Sequence, residues 1–177
     1  MSNPEKIALL TDSTADLPAP MREGKPIYVV PLKIRCEDGE YSDGVDITAE
    51  GVYERLHRGE LPRTSLPEGG VVSDTLDQIR ADGYERVIAV MLSSGLSGVY
   101  NSANVAKETL QEQYPDRKIY IVDSLGASSG YGLFMDKLAD LRDSGMGIDQ
   151  VYAWANDHRL ELHHWFFSTD LSFYVKG

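Results

Sequence analysis

The sequence predicts an α/β protein: a mostly parallel, doubly wound sheet flanked by helices. Three observations carry this expectation. Short apolar runs alternate along the chain with segments of helical periodicity. The strongest run, Val87 to Leu92, is apolar throughout, as a strand covered on both faces must be. It passes directly into the tight loop Ser93-Ser94-Gly95-Leu96-Ser97-Gly98, and a helix follows with Val99, Ala103, Ala106 and Leu110 at helical spacing.

The other elements follow in order. Ile7 to Leu10 is a short apolar run cut off by Thr11-Asp12-Ser13-Thr14, the pattern of a buried strand entering a loop. Ile27 to Leu32 reads as a second strand edged by Pro26 and Pro31. Lys33 to Cys36 and Glu40-Tyr41 flank the turn dipeptide Asp38-Gly39 and predict a small hairpin. Thr48 to His57 has the helical spacing of Val52, Tyr53 and Leu56, with Gly59 as its stop. Leu61 to Pro67 is bracketed by prolines that force an extended path. Val72, Leu76 and Ile79 mark a helix ending at Asp82-Gly83. Lys118 to Val122 is a strand ending in Asp123-Ser124, and Phe134, Leu138 and Leu141 share a helical face. Ser144-Gly145-Met146-Gly147 reads as a joint between units. Ile148, Val151 and Ala155 then begin a further helix, and Trp165-Phe166-Phe167 reads as another strand. The expected organisation is an N-terminal α/β domain over 1–145. Residues 146–177 would be the start of a second domain, or a connecting helix and strand.

Bulk composition narrows the function classes. The 177 residues are 42% hydrophobic and 25% charged, as a globular core requires. A net charge of −11 repels phosphate backbones and anionic headgroups, so neither nucleic acid nor stable membrane insertion is expected. The lone Cys36 excludes an internal disulfide and a cysteine metal cluster. The opening MSNPEK lacks a signal pattern, and no apolar run approaches the ~20 residues of a spanning helix, so a cytoplasmic location is expected.

Three expected strands end in the same kind of loop: Thr11-Asp12-Ser13, Ser93-Ser94-Gly95 and Asp123-Ser124. In an open parallel sheet ligands sit beyond the carboxyl ends of the strands, so these loops would share one edge. Hydroxyls donate to anionic oxygens, glycine admits close backbone approach, and a helix start adds free N–H groups. Thr64 and Ser65, held extended between prolines, add two hydroxyls. Ser97 fits a helix cap. Asp12 and Asp123 would repel an anion directly, and are expected to accept hydrogen bonds and hold the loops in shape.

Catalytic and metal chemistry find weaker support. The Gly-x-Ser-x-Gly spacing of a nucleophile elbow is absent, and His57, His158, His163 and His164 are all remote in sequence from the loops. Adjacent His163 and His164 would point to opposite faces of a strand. Asp38, Glu40, Asp43 and Asp46 read as a solvated hairpin rather than a cation site. A phosphosugar or other phosphate-ligand enzyme or sensor stands as the alternative to a carboxylate binder, since serine loops at helix starts also hold phosphate. Arg63 is the only cation near in sequence.

Five motifs in order carry a family resemblance: Thr11 to Pro18 (TDSTADLP), Tyr41 to Ile47 (YSDGVDI), Arg63 to Pro67 (RTSLP), Ser93 to Ala103 (SSGLSGVYNSA) and Val122-Asp123-Ser124. Together they resemble the DegV family of bacterial fatty-acid-binding proteins. The resemblance implies two α/β domains with a long-chain fatty acid between them, its carboxylate held by Thr64, Ser65, Ser93, Ser94 and Gly95. Asp12, Ser13, Asp123 and Ser124 would be supporting residues. It also implies no catalytic residue, no metal and no cofactor. The protein would be a carrier subunit presenting the acid to a separate ATP-dependent fatty acid kinase, which makes acyl phosphate. Two departures stand out. Leu66 takes the place where relatives often carry glutamine, and the sequence ends at Val175-Lys176-Gly177, where relatives continue into most of the second domain. A truncated second domain is therefore expected.

Overall fold

The computed structural model describes residues 5–68 and 70–172. Val175, Lys176 and Gly177 lie outside the described residues. Four strands, β1 (Ile7–Asp12), β2 (Ile27–Val30), β6 (Arg86–Met91) and β7 (Lys118–Asp123), form one sheet in the order β2-β1-β6-β7. All its pairings are parallel. Every residue of β1 and all but the first of β6 are buried, which requires cover on both faces. The helices α3 (Val71–Ala81) and α4 (Val99–Gln113) pack together on the sheet, as do α5 (Ser128–Asp143) and α6 (Ile148–His158). One pair covers each face. The core around this sheet is one cluster that includes Leu9, Ile88, Leu76, Val99, Phe134 and Val151.

Between β2 and α3 the chain leaves this sheet and builds a second one. Strands β3 (Lys33–Cys36), β4 (Gly39–Ser42) and β5 (Arg63–Ser65) pair antiparallel in the order β4-β3-β5. Cys36 opposes Gly39, so the hairpin turn sits on Glu37-Asp38, one residue earlier than the Asp-Gly dipeptide suggests. The helix α2 (Ala49–His57), capped by the Thr48 side chain, accompanies a small core of Ile34, Cys36 and Ile47 with Tyr41 and Val52 against it. The short helix α1 (Ala19–Arg22) and a single 3-10 turn at Ser13–Ala15 lie between β1 and β2. The acidic stretch is largely satisfied by protein partners. Asp38 takes both Nη atoms of Arg55 at 2.8 and 2.9 Å, Glu40 pairs with Arg35, and Asp46 accepts from the Ser42 amide.

The glycine joint lies between α5 and α6, and α6 returns to the sheet beyond it. Ile148, Val151 and Ala155 belong to the same core cluster as β6 and β7. Glu5 accepts from the Ile148 amide at 2.8 Å, placing a carboxylate at the helix start. Lys118 and Tyr120 on β7 converge on Asp149, and Tyr120 stacks on Tyr152 at 4.0 Å. The strand expected at Trp165-Phe166-Phe167 is not formed: these residues run in coil, with Trp165 91% and Phe167 94% exposed. A strand needs a backbone to pair with, and the described residues place none beside it. His163 and His164 accordingly lie in coil and not on opposite faces of a strand.

Candidate functional site

The chain runs outward from β1 to β2 on one side and later returns to β6 on the other, so the sheet's switch point lies between the carboxyl ends of β1 and β6. Asp12 is fully buried there and joins the two strand ends. Its Oδ2 accepts from the Leu92 amide at 2.8 Å. Its Oδ1 accepts from the Thr14 amide at 3.0 Å, the Thr14 hydroxyl at 2.5 Å and the Tyr131 hydroxyl at 2.7 Å. Burial, reinforced by this carboxylate, pushes the Tyr131 hydroxyl above its ordinary pKa. Ser13 spends its oxygen on the Leu32 amide, tying the β1 loop to the end of β2.

Asp123 does the same work at the end of β7. Its Oδ1 accepts from the amides of Ser94 and Leu125, both at 3.1 Å, and its Oδ2 accepts from the Ser94 hydroxyl at 2.5 Å. Ser124 is buried and closes its own loop, accepting from the Gly126 amide and donating to the Gly126 carbonyl. Ser93 is 9% exposed; its oxygen accepts from the Gly95 amide at 3.3 Å, and its carbonyl takes the Leu96 and Ser97 amides. Ser97 accepts from the Val99 amide at the start of α4.

A cavity of about 780 Å³ opens on this edge. Ser93 and Gly95 line it together with Leu96, the loop Leu125 to Ala127 and the first turn of α5. The side chains of Leu96, Leu125 and Leu133 are exposed toward solvent and give it apolar walls. Leu125 and Ser128 have φ of +52° and +54°, a left-handed conformation that costs these side chains energy and is held by Asp123 and by a Ser128–Asp16 hydrogen bond of 2.6 Å. His164 lies over Gly126 and Gly130, where any Cβ would meet its ring.

Thr64 and Ser65 reach the site by another route. Both are exposed on β5, and neither hydroxyl makes a hydrogen bond within the described residues. The next residue, Leu66, lies against Gly98: a Cβ there would sit 3.4 Å from Leu66 Cδ1. The structure therefore brings Ser93, Ser94, Gly95, Asp123 and Ser124 into one cluster, links Asp12 and Ser13 to it through Leu92, and sets Thr64 and Ser65 beside the loop through Leu66.

Sequence reading passed over two contributors. A second Ser-Ser-Gly, residues 128–130, repeats the tripeptide at 93–95 and opens α5 without a side-chain cap. That repetition was a readable signal. Arg159, at the end of α6, donates to the Asp123 carbonyl at 2.9 Å and brings a cation to the edge; its place 36 residues away gave no sign of this. The other histidines are engaged elsewhere, His57 with the Tyr53 carbonyl and His158 with the Trp154 carbonyl. No helix of the described residues is long and apolar enough to cross a membrane.

Comparison with known proteins places this architecture. A family model described as "Uncharacterised protein, DegV family" matches residues 6–177. A DegV domain-containing protein of Clostridium perfringens is 33% identical over 175 residues, which cover 98% of this chain and 60% of that protein. The fatty-acid-binding DegV family protein of Thermus thermophilus has a similar structure, with a TM-score of 0.77 at 27% identity over 88% of this chain and 54% of its own. A stearic acid-binding protein from Eubacterium ventriosum gives a TM-score of 0.79 at 28% identity, covering 85% of this chain and 52% of its own. The chain thus spans between half and three-fifths of the relatives it matches.

Proposed function

This chain belongs to the DegV family, and from that premise we propose that its protein binds a long-chain fatty acid and presents the carboxyl end to a separate fatty acid kinase. The observation that carries the reading is the cavity at the ends of β6 and β7. Polar groups line it, Ser93 and the uncapped start of α5, and so do the leucines Leu96, Leu125 and Leu133. A head group needs the first and an acyl chain the second. The fatty acids named for solved relatives support the same ligand class.

Thr64, Ser65, Ser93, Ser94 and Gly95 are the proposed head-group residues, with Asp12, Ser13, Asp123 and Ser124 holding them. Residues 159–172 would begin the second domain, with α6 kept in the first because it packs in the same core. Each buried CH₂ contributes about 0.8 kcal/mol, so most affinity would come from walls that enclose the chain on all sides. The separate kinase is what the family resemblance implies; among the described residues no histidine is hydrogen-bonded to a serine. The two buried carboxylates beneath the loops, Asp12 and Asp123, oppose a phosphate dianion more strongly than a fatty acid's single charge.

The test is calorimetric titration of the delipidated full-length protein with hexadecanoic acid and with sugar phosphates. Saturable binding of the acid alone supports the carrier reading. Binding of the phosphates alone replaces it.

A further inference from the structure

The ring of His164 fills a seat made by two glycines. The three heavy atoms nearest to a Cβ built at Gly126 all belong to that ring, the first at 2.5 Å, and so do the three nearest at Gly130. Neither glycine has a positive φ, so the backbone would accept alanine at both positions. What excludes a Cβ is the group lying over them. That group is lightly held. His164 is exposed and makes no hydrogen bond, ion pair or ring contact among the described residues. Residues 163–167 are coil without a backbone hydrogen bond within the described residues. The segment is anchored just upstream, by Arg159 on the Asp123 carbonyl and by Leu162 against the core.

The seat lies on the path a ligand has to take. The Gly126 carbonyl accepts from the Ser93 amide at 3.1 Å, which puts one glycine beside Ser93. Gly130 and Leu133 are three residues apart on α5, so the other glycine shares a side of the helix with that leucine. Ser93, Gly126, Gly130, Leu133 and His164 all line the same cavity. A chain that runs from a head group at Ser93 toward Leu133 crosses the position of the ring.

We propose that His164 is a displaceable plug: in the empty protein its ring occupies the seat on Gly126 and Gly130, and a bound fatty acid turns it out and lays the methylene groups next to its head there. This rests on the fatty-acid reading above and names the residues that the start of the acyl chain meets. Ring and chain exclude each other, and both cover the same bare backbone. Only molecules whose seat is open can take the ligand, so the plug weakens the apparent affinity by the fraction that is open. A ring without hydrogen bonds can be exchanged for a chain without leaving a polar group stranded.

The experiment is stopped-flow kinetics and calorimetry of the delipidated full-length protein with hexadecanoic acid, in the wild type, in His164→Ala and in the double variant His164→Ala/Gly126→Ala. His164→Ala should bind about three- to tenfold tighter, through faster association with dissociation unchanged, because only the empty state loses a contact. In the double variant the new Cβ no longer meets the ring, so the protein should fold. It should nevertheless bind about tenfold more weakly than His164→Ala, because a methyl group stands where the chain lies. If the double variant does not fold, His164→Ala/Gly130→Ala makes the same test. Unchanged or weaker binding by His164→Ala overturns the displacement and makes the ring a bystander or a wall of the loaded site. Binding by the double variant as tight as by His164→Ala overturns the seat. Either result leaves the carrier reading standing, whereas failure of the wild-type protein to bind the acid removes both.

Discussion

Tyr131 carries its hydroxyl into a fully buried corner to reach Asp12, whose carboxylate also holds Thr14 and the Leu92 amide. Tyr131→Phe keeps the ring and removes one donor from a buried carboxylate. It should cost about 1–3 kcal/mol in urea denaturation, the penalty of a buried charged acceptor losing a partner. Thr64 is the opposite case, exposed, with its hydroxyl unbonded within the described residues. Thr64→Ala should leave stability within about 0.5 kcal/mol, yet weaken fatty-acid affinity by about 1.5–3 kcal/mol if the hydroxyl meets the head group. Calorimetry and denaturation on the same variant separate the two roles. At this scale the sequence was informative about which loops matter and less so about which hydroxyls are free. Ser124 turns its oxygen inward on Gly126 within its own turn, and the Ser94 hydroxyl donates to Asp123; the second cannot be read from spacing, because it depends on how β6 and β7 lie side by side.

Elements whose cause is local were legible. The apolar run of β6, the loop after it and the periodicity of α4 needed no partner to be recognised. Those whose cause is distant were not. Polar β5 is a strand because it finds β3, 30 residues earlier, while apolar Trp165-Phe166-Phe167 finds no such edge in the described chain. The start of α5 depends on a close approach: Gly132 lies so near the Ala15 carbonyl that a Cβ would overlap it. Gly132→Ala should therefore destabilise by about 1–3 kcal/mol despite alanine's higher helix propensity, and thermal melting should show the loss. The pairing of β7 with α6 gives a pH signature. The Lys118 ammonium, aided by the Tyr120 hydroxyl, holds the Asp149 carboxyl below its ordinary pKa. A depressed folded value means that the contribution is complete above the unfolded value, about 3.9, and is lost as pH falls through the folded one. Asp149→Asn should accordingly flatten the acid side of the stability curve below about pH 5, measured by denaturant titration at several pH values.

For the molecule as a whole, the α/β class and the parallel sheet follow from alternation alone, and the structure bears them out. The small antiparallel sheet inserted between β2 and α3 was visible only as a hairpin, because its third strand is three exposed residues between prolines. The glycine joint was visible too, but not that the helix beyond it folds back: Glu5, Lys118 and Tyr120 draw α6 onto the first sheet from positions far away in sequence. What unites these parts is the edge where β1, β6 and β7 end, with its buried carboxylates, its two Ser-Ser-Gly segments and its leucine-walled cavity. The most direct measurement is native mass spectrometry of the full-length protein purified without delipidation. The account predicts one long-chain fatty acid per protein molecule, released intact on activation. An empty protein, or one carrying a phosphorylated metabolite, would contradict it.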